Sequence, residues 1–401
     1  MSKVSKRPTI LICNGALWPG NDASGPNLSV KLLAEGLRGD YRVLLLARDR
    51  PFGAAIALPA LPGWNDAGFA EARYCAVSWR GANGLAEILR RTPHDVLWLN
   101  GFFDREFTIP ALLMRKFGRV PARPVILSPR GEFASGALGL KSAQKSAYLA
   151  LARRTGLLAE VCLHATSEAE LTAIKTALAS AGSYAVAPNF RPLVPAAPAV
   201  ARTPGAPLQL AFIGRISPVK NLDYAVAALR GVRTGVHLNI YGPIQDNAYW
   251  GDCLRLAITL PPHVTIQHHG EITNNAVAPS LAANDLLFLP TKGENFGHAI
   301  FEALSCGVPV LISDQTPWRG LQQSKAGWDL PLADPAGFAA AIDAFAAFDC
   351  GQRAGLRQGA RSVAERHAAT SEAGVRTREM LGHMLASMPA RVAAGDAEMA
   401  L

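Results

Sequence analysis

The stretch TKGENFGHAIFEALSCGVPV, residues 291–310, sets two glutamates, Glu294 and Glu302, eight positions apart. The pattern reads as a loop, TKGENFG, leaving the buried strand DLLFLP, and then a helix over His298–Cys306 that Gly307 stops. Glu294 lies in that loop beside the helix N-terminus, whose free N–H groups favour an anion. Glu302 lies inside the helix, where Ala299, Glu302, Ala303 and Cys306 share one face at i, i+3, i+4, i+7 spacing. A carboxylate among such small neighbours can be approached closely by another molecule. Taken singly, Glu302 also fits a solvated helix residue and Glu294 a simple helix cap. Taken with the backbone amides of Asn295, Phe296, Gly297 and His298, the pair can hold a polyhydroxylated ligand that carries negative charge.

A second stretch, LAFIGRISPVKNLDYAVAAL, spans residues 210–229. A strand ends at Gly214, Ser217 is the expected N-cap of a helix, Pro218 its first residue, and Lys220 falls in its first turn. Two cations at a helix start oppose its dipole unless an anion lies between them. Arg215, through two parallel donors, and Lys220, as a point charge, suit a diphosphate; two solvated surface cations are the plainer alternative. A third stretch, CNGALWPGNDASGPN, residues 13–27, follows the first strand with Gly15, Gly20 and Gly25. It carries neither the GxGxxG dinucleotide fingerprint nor the GK[ST] of a P-loop. Opposite a diphosphate, Gly25 would let backbone N–H groups come close. Gly242, Gly270 and Glu271, at two further strand ends, complete the candidate set.

Parallel sheets must position these residues. Strand-like runs at Thr9–Cys13, Val43–Leu46, Val96–Leu99, Val125–Leu127 and Leu163–Ala165 alternate with helical patterns such as Leu28–Leu37 and Glu168–Ala179. A second set follows at Leu210–Ile213, Leu238–Tyr241, Val264–His268, Leu286–Leu289 and Val310–Ile312, with a helix at Asp223–Leu229. Strand–helix alternation means helices covering parallel sheets, so the fold class is α/β, with two doubly wound, Rossmann-like domains and a cleft between them. The expected boundaries are a first domain over 1–190, a Pro- and Ala-rich linker over 191–207 and a second domain over 208–353. A helical stretch follows over 354–386, then a tail over 387–401.

Composition narrows the classes of function. With 49% hydrophobic and 18% charged residues the chain is a packed globular protein. No run approaches 18 apolar residues, and TILIC leads into NGALWPG without a cleavage-like site, which predicts a cytoplasmic protein. Six scattered cysteines without CxxC read as small buried hydrophobes, and no metal-ligand spacing stands out. Residues 1–205 hold 25 Lys and Arg against 14 Asp and Glu, whereas residues 206–401 hold 15 against 17. The basic half lacks the signatures of nucleic-acid binding, which leaves anionic lipid or a phosphate-linked substrate as its partner. Within it, KSAQKSAYLALARRTGLL, residues 141–158, brackets Tyr148, Leu149 and Leu151 with Lys141, Lys145, Arg153 and Arg154. That composition suits either a helix lying on an anionic membrane or one packed into the first domain with solvated cations outside.

Taken together, these residues resemble the group 1 family of retaining glycosyltransferases, which have the GT-B fold. The resemblance covers nearly the whole chain and is strongest over Leu210–Ser313. The family's E-x7-E motif appears as Glu294 and Glu302, and its R-x4-K pair as Arg215 and Lys220; EALSCGVPVLISD and the N-terminal glycine loop continue the pattern. The resemblance implies that Glu302 holds the ribose hydroxyls of a nucleotide-sugar donor and that Glu294 and the amides after it orient the sugar. It implies that Arg215 and Lys220 neutralise the leaving diphosphate, and that the last helix crosses back onto the first domain. Many members carry a His, often followed by Asp, after the fourth N-terminal strand; here ILSPRGEF places Arg130 and Glu132, either of which is a candidate to meet the substrate. That segment, with HATSEAE and SDQTPW, resembles a branch concerned with polysaccharide and lipopolysaccharide assembly.

The expected function is transfer of a hexose from a UDP- or GDP-sugar to a hydroxyl of a glycan or lipid-linked acceptor, with retention. No cofactor is expected beyond the donor, and no metal, since the chain has no DxD. A nucleotide-sugar epimerase of the same fold, or a non-catalytic two-domain sugar-binding protein, is the alternative.

Overall fold

The computed structural model describes residues 7–19, 21, 25–51, 54–76, 84–133, 142–178, 182–196 and 205–387. The chain divides into two compact units, one of Met1–Phe190 with Ser371–Leu401, the other Arg191–Thr370.

In the first unit the order is β1 (Thr9–Asn14), α1 (Gly25–Leu37), β2 (Arg42–Ala47), β3 (Asn65–Asp66), β4 (Glu71–Tyr74), α2 (Leu85–Arg91), β5 (Val96–Asn100) and α3 (Thr108–Lys116). It continues with β6 (Val125–Ser128), α4 (Ser142–Thr155), β7 (Val161–Ala165), α5 (Glu168–Ala177) and β8 (Ser183–Val186). The sheet runs β3-β4-β2-β1-β5-β6-β7-β8, parallel except for the β3–β4 pair. TILICN of β1 and VLWLN of β5 are buried at every position, as strands covered on both faces must be. Between β1 and β5 the order of connection reverses, and crevices for ligands form at the carboxyl ends of strands at such a point.

In the second unit β9 (Leu208–Ile213), α6 (Leu222–Leu229), β10 (Val236–Tyr241), α7 (Asn247–Ala257), β11 (Val264–His268), α8 (Asn274–Ala282) and β12 (Leu286–Leu289) lead to α9 (His298–Ser305). Then come β13 (Val310–Ser313), β14 (Gly327–Leu330), α10 (Pro335–Ala347) and α11 (Cys350–Thr370). The sheet is β11-β10-β9-β12-β13-β14, all parallel, and its own reversal falls between β9 and β12. One apolar core built on Phe212, Phe288, Phe301 and Phe338 fills it. Finally α12 (Ala373–Ala386) returns to the first unit, where Met380 and Leu381 join the cluster of Ile10, Leu45 and Trp98.

Two expectations change, and one of two open alternatives is favoured. The stretch 354–386 is two helices, α11 and α12, assigned to different units, because Ser371 and Glu372 interrupt it. Ser217 does not cap a helix: residues 217–220 form a turn, and α6 starts at Leu222 after Asn221, whose left-handed backbone (φ 63°) breaks the helical path. Lys220 therefore precedes the helix, and Pro218 lies in the turn. In the 141–158 segment, Tyr148 and Ala152 pack into the core of the first unit and Leu151 is exposed; Lys141 lies outside the described residues. Tyr148 meets the rings of Phe102 and Phe103 at centroid distances of 5.2 and 6.1 Å, so most of the expected apolar surface is turned inward. Among the described residues no helix is long and apolar enough to cross a membrane.

Candidate functional site

In the second unit, the carboxyl ends of β9 and β12 bring Gly214, Arg215, Lys220 and the loop 291–297 together. The loop is tied to the turn after β9: Lys292 N–H donates to the Val219 carbonyl at 2.8 Å, the Thr291 hydroxyl donates to the same oxygen at 3.0 Å, and Asn221 Nδ2 donates to the Pro290 carbonyl at 2.9 Å. So braced, Lys220 Nζ ion-pairs with Glu294 Oε1, and both side chains are largely buried. Arg215 stands exposed just before that turn, within the field of Glu294. The site thus holds two cations and one carboxylate, a net positive charge facing solvent at the sheet's reversal point.

Glycine makes the floor of this site possible. Gly242, with φ 139°, follows β10 so closely that an added Cβ would lie 2.1 Å from the Gly214 carbonyl oxygen. Its N–H donates to the Gly270 carbonyl at 2.7 Å, which joins the three expected glycines at neighbouring strand ends. Beside them the ring of Tyr241 stacks on His269, centroids 4.7 Å apart and 14° from parallel. Glu271 is exposed in the loop after β11.

The helix α9 begins after Gly297 in a left-handed conformation (φ 81°) and ends as expected: the Val308 N–H reaches the Ala303 carbonyl and the Gly307 N–H the Leu304 carbonyl. Its small-residue face divides. Ala303 and Cys306 are buried in the core, and only Ala299 and Glu302 keep partial exposure. Burial raises the Glu302 carboxyl to about 7, with the charge of Arg191 pulling the other way. Arg191 Nη2 donates to His298 Nε2 at 2.8 Å, which puts the neutral imidazole's proton on Nδ1, and the same guanidinium lies 5.4 Å from the centroid of the Phe296 ring. Phe296 is an anchor: Trp318 Nε1 donates to its carbonyl at 2.6 Å, and the rings of Trp318, Phe301 and His367 surround it. Asn295 is half-buried between Glu294 and this anchor.

The first unit places its candidates at its own reversal point. Arg130 Nε donates to Asn100 Oδ1 at 3.0 Å and Nη1 to Asn189 Oδ1 at 2.9 Å. Glu132 Oε2 accepts the N–H groups of Phe102 and Phe103, the latter at 3.2 Å; burial nevertheless lifts its carboxyl to about 7. Gly25 opens α1, held near β1 by Asn27, which accepts from Asn14 Nδ2 (3.3 Å) and donates to the Ala16 carbonyl (2.9 Å); Gly20 lies outside the described residues.

Residues 207–347 match the family model "Glycosyl transferases group 1". The second unit is a group 1 glycosyl transferase domain. Within the glycosyl transferase domain, the matched stretch contains Arg215, Lys220, Glu294 and Glu302. A GDP-mannose-dependent alpha-mannosyltransferase of Mycolicibacterium smegmatis is 30% identical over 110 residues, 27% of this chain and 26% of that protein, so the match spans about a quarter of each. Among solved structures, sucrose-phosphate synthase from Thermosynechococcus elongatus superposes with TM-score 0.70 at 17% identity, over 95% of this chain and 100% of that one. Anabaena HepE in complex with UDP and glucose gives 0.65 at 16% (95% and 100%), and WaaG, a glycosyltransferase involved in lipopolysaccharide biosynthesis, 0.61 at 13% (92% and 98%). These likenesses show the fold, the GT-B architecture of two Rossmann-like domains.

Several members of both sites belong to no motif of the sequence. Arg191 lies in what reads as linker, yet it is buried against His298. Asn14 and Asn100 close apolar strands, TILICN and VLWLN, and a polar residue ending a buried strand is a sign that was there to use.

Proposed function

We propose that the chain transfers a hexose from a nucleotide diphosphate sugar to a hydroxyl of a glycan or lipid-linked glycan, with retention of anomeric configuration. The observation that carries this reading is the Lys220–Glu294 pair at the reversal point of the glycosyl transferase domain, with Arg215 just before the same turn. A leaving diphosphate needs positive charge fixed in advance, and Lys220 and Arg215 supply it. Glu294 orders Lys220 and stands where the donor sugar's hydroxyls would be read, as do the N–H groups opening α9. Glu302, half-buried on α9, would accept the ribose hydroxyls. In this reading the leaving phosphate takes the acceptor's proton, so no protein base is required and the charge is met without a metal.

Two donors are supported by likeness: UDP-sugars, from the UDP complex of HepE, and GDP-mannose, from the named mannosyltransferase. An acceptor in cell-surface polysaccharide assembly is supported by the likeness to WaaG. The proposal places the enzyme in the cytoplasm, with Arg153 and Arg154, both exposed on α4, as the remaining contacts for an anionic membrane. The test is release of UDP or GDP from a panel of nucleotide sugars, with and without glycan acceptors. Release that rises with acceptor, with the product's anomeric signal matching the donor's by NMR, is expected. No release with any UDP- or GDP-sugar would leave the sugar-binding alternative standing.

A further inference from the structure

Arg130 follows β6 with a left-handed backbone (φ 56°), a conformation that a bulky residue adopts at a cost and that the surroundings must hold in place. Its guanidinium is buried, and Nη2 has no hydrogen-bond partner among the described residues. Both groups that do accept from it, Asn100 Oδ1 and Asn189 Oδ1, are neutral amides. The neighbouring carboxylates are committed elsewhere. Glu170 accepts the N–H of Gly131 at 2.6 Å and both the N–H and hydroxyl of Thr166 at 2.7 Å, and Glu132 is turned onto the N–H groups of Phe102 and Phe103. Burial lowers the Arg130 pKa to about 10, with the charge of Glu170 pulling the other way. A buried cation held by neutral acceptors, with one donor unused, is expensive for a fold to keep. It sits beside Asn100, at the carboxyl end of β5, where the sheet's connections reverse.

We propose that Arg130 is a specificity-determining residue that receives an anionic substituent, a carboxylate or phosphate, on the sugar bound by the first unit. A guanidinium recognises such a group through paired, charge-assisted donors, and its amide neighbours orient it without cancelling its charge. The inference rests on the transfer reading above for the bound molecule being a sugar; that sugar is either the acceptor's or the donor's.

The experiment uses the full chain and measures affinity by calorimetry. One arm compares glucuronate and glucose 6-phosphate with glucose; the other compares UDP-glucuronate with UDP-glucose. In at least one arm the charged ligand should bind about 10- to 100-fold more tightly than its neutral partner, the worth of one charged hydrogen-bonded pair. Arg130→Gln should bring the two members of that arm to parity, Arg130→Lys should keep part of the preference, and UDP should bind all three proteins equally. Equal binding of charged and neutral ligands to the unaltered protein in both arms overturns the proposal without any variant; so does a preference that survives in Arg130→Gln. Failure of UDP and GDP to bind the unaltered protein would instead count against the transfer reading.

Discussion

Lys220 and Glu294 form the ion pair on which the catalytic reading turns, so the two should be separable from folding. Both sit on a turn and a loop beyond strand ends, and neither fills the core. Lys220→Ala or Arg215→Ala should lower turnover by roughly 10²–10³, the range for losing one preorganised charge-stabilising donor, with the thermal midpoint little changed. Steady-state kinetics beside a melting curve checks this; a Lys220→Ala enzyme of undiminished kcat would remove the pair from the mechanism. Glu302 carries a second prediction. Its folded pKa is about 7 against an ordinary value of 4.5, and Glu132 is shifted the same way. Between those values the folded chain holds protons that the unfolded chain has released. Their stabilisation is therefore full below about pH 4.5 and declines as pH rises to about 7. Urea midpoints measured across this window should fall with pH, and Glu302→Gln should make the fall shallower.

At the scale of elements, Gly242 is the position where a single methyl group decides the site. A Cβ there would lie 2.1 Å from the Gly214 carbonyl oxygen, and its φ of 139° is one that L side chains rarely adopt. Gly242→Ala should push the ends of β9 and β10 apart, lowering nucleotide-sugar affinity more than stability; calorimetry against the unaltered protein reads the difference. Elements like these were legible in proportion to their burial. All ten expected strands are present, each longer by at most two residues, and apart from the edge strand β11 their buried parallel runs are apolar. The strands β4 (EARY), β8 (SYAV) and β14 (GWDL) gave no such run: each lies toward a sheet edge, where partial exposure allows polar residues. The E-x7-E helix was legible to its Gly307 stop, whereas the N-cap at Ser217 was misread because Asn221 hydrogen-bonds across to Pro290, a contact 69 residues away in sequence. Arg130 and Glu132 were visible as residues, but their partners Asn189 and Phe102 come from other strands' ends and have no local pattern.

Across the whole molecule, the first unit is discontinuous: its sheet comes from the first 190 residues, yet α12 follows the second unit along the chain. Leu381, wholly buried with Ile10 and Trp98, measures how far that helix matters. Leu381→Ala should cost about 2–5 kcal/mol, the usual range for emptying a core leucine site, and a urea titration followed by circular dichroism should report it. Arg378, which ion-pairs with Asp40 at 2.6 Å on the surface, should contribute far less than Leu381. The same connectivity bears on synthesis. Ribosomes deliver the chain from its N-terminus, and domains made of one continuous stretch complete their cores as they emerge. Here the stretch made first is the last to be finished, because Ile10, Leu45 and Trp98 wait for Met380 and Leu381 while residues 191–370 already have every side chain they need. Nascent chains stalled after Thr370 has left the exit tunnel should therefore resist protease over the second unit and be cut within the first. For that interval the part of the sheet face that Met380 and Leu381 cover stays open to water, beside the part that Val30, Leu33 and Leu37 of α1 already cover.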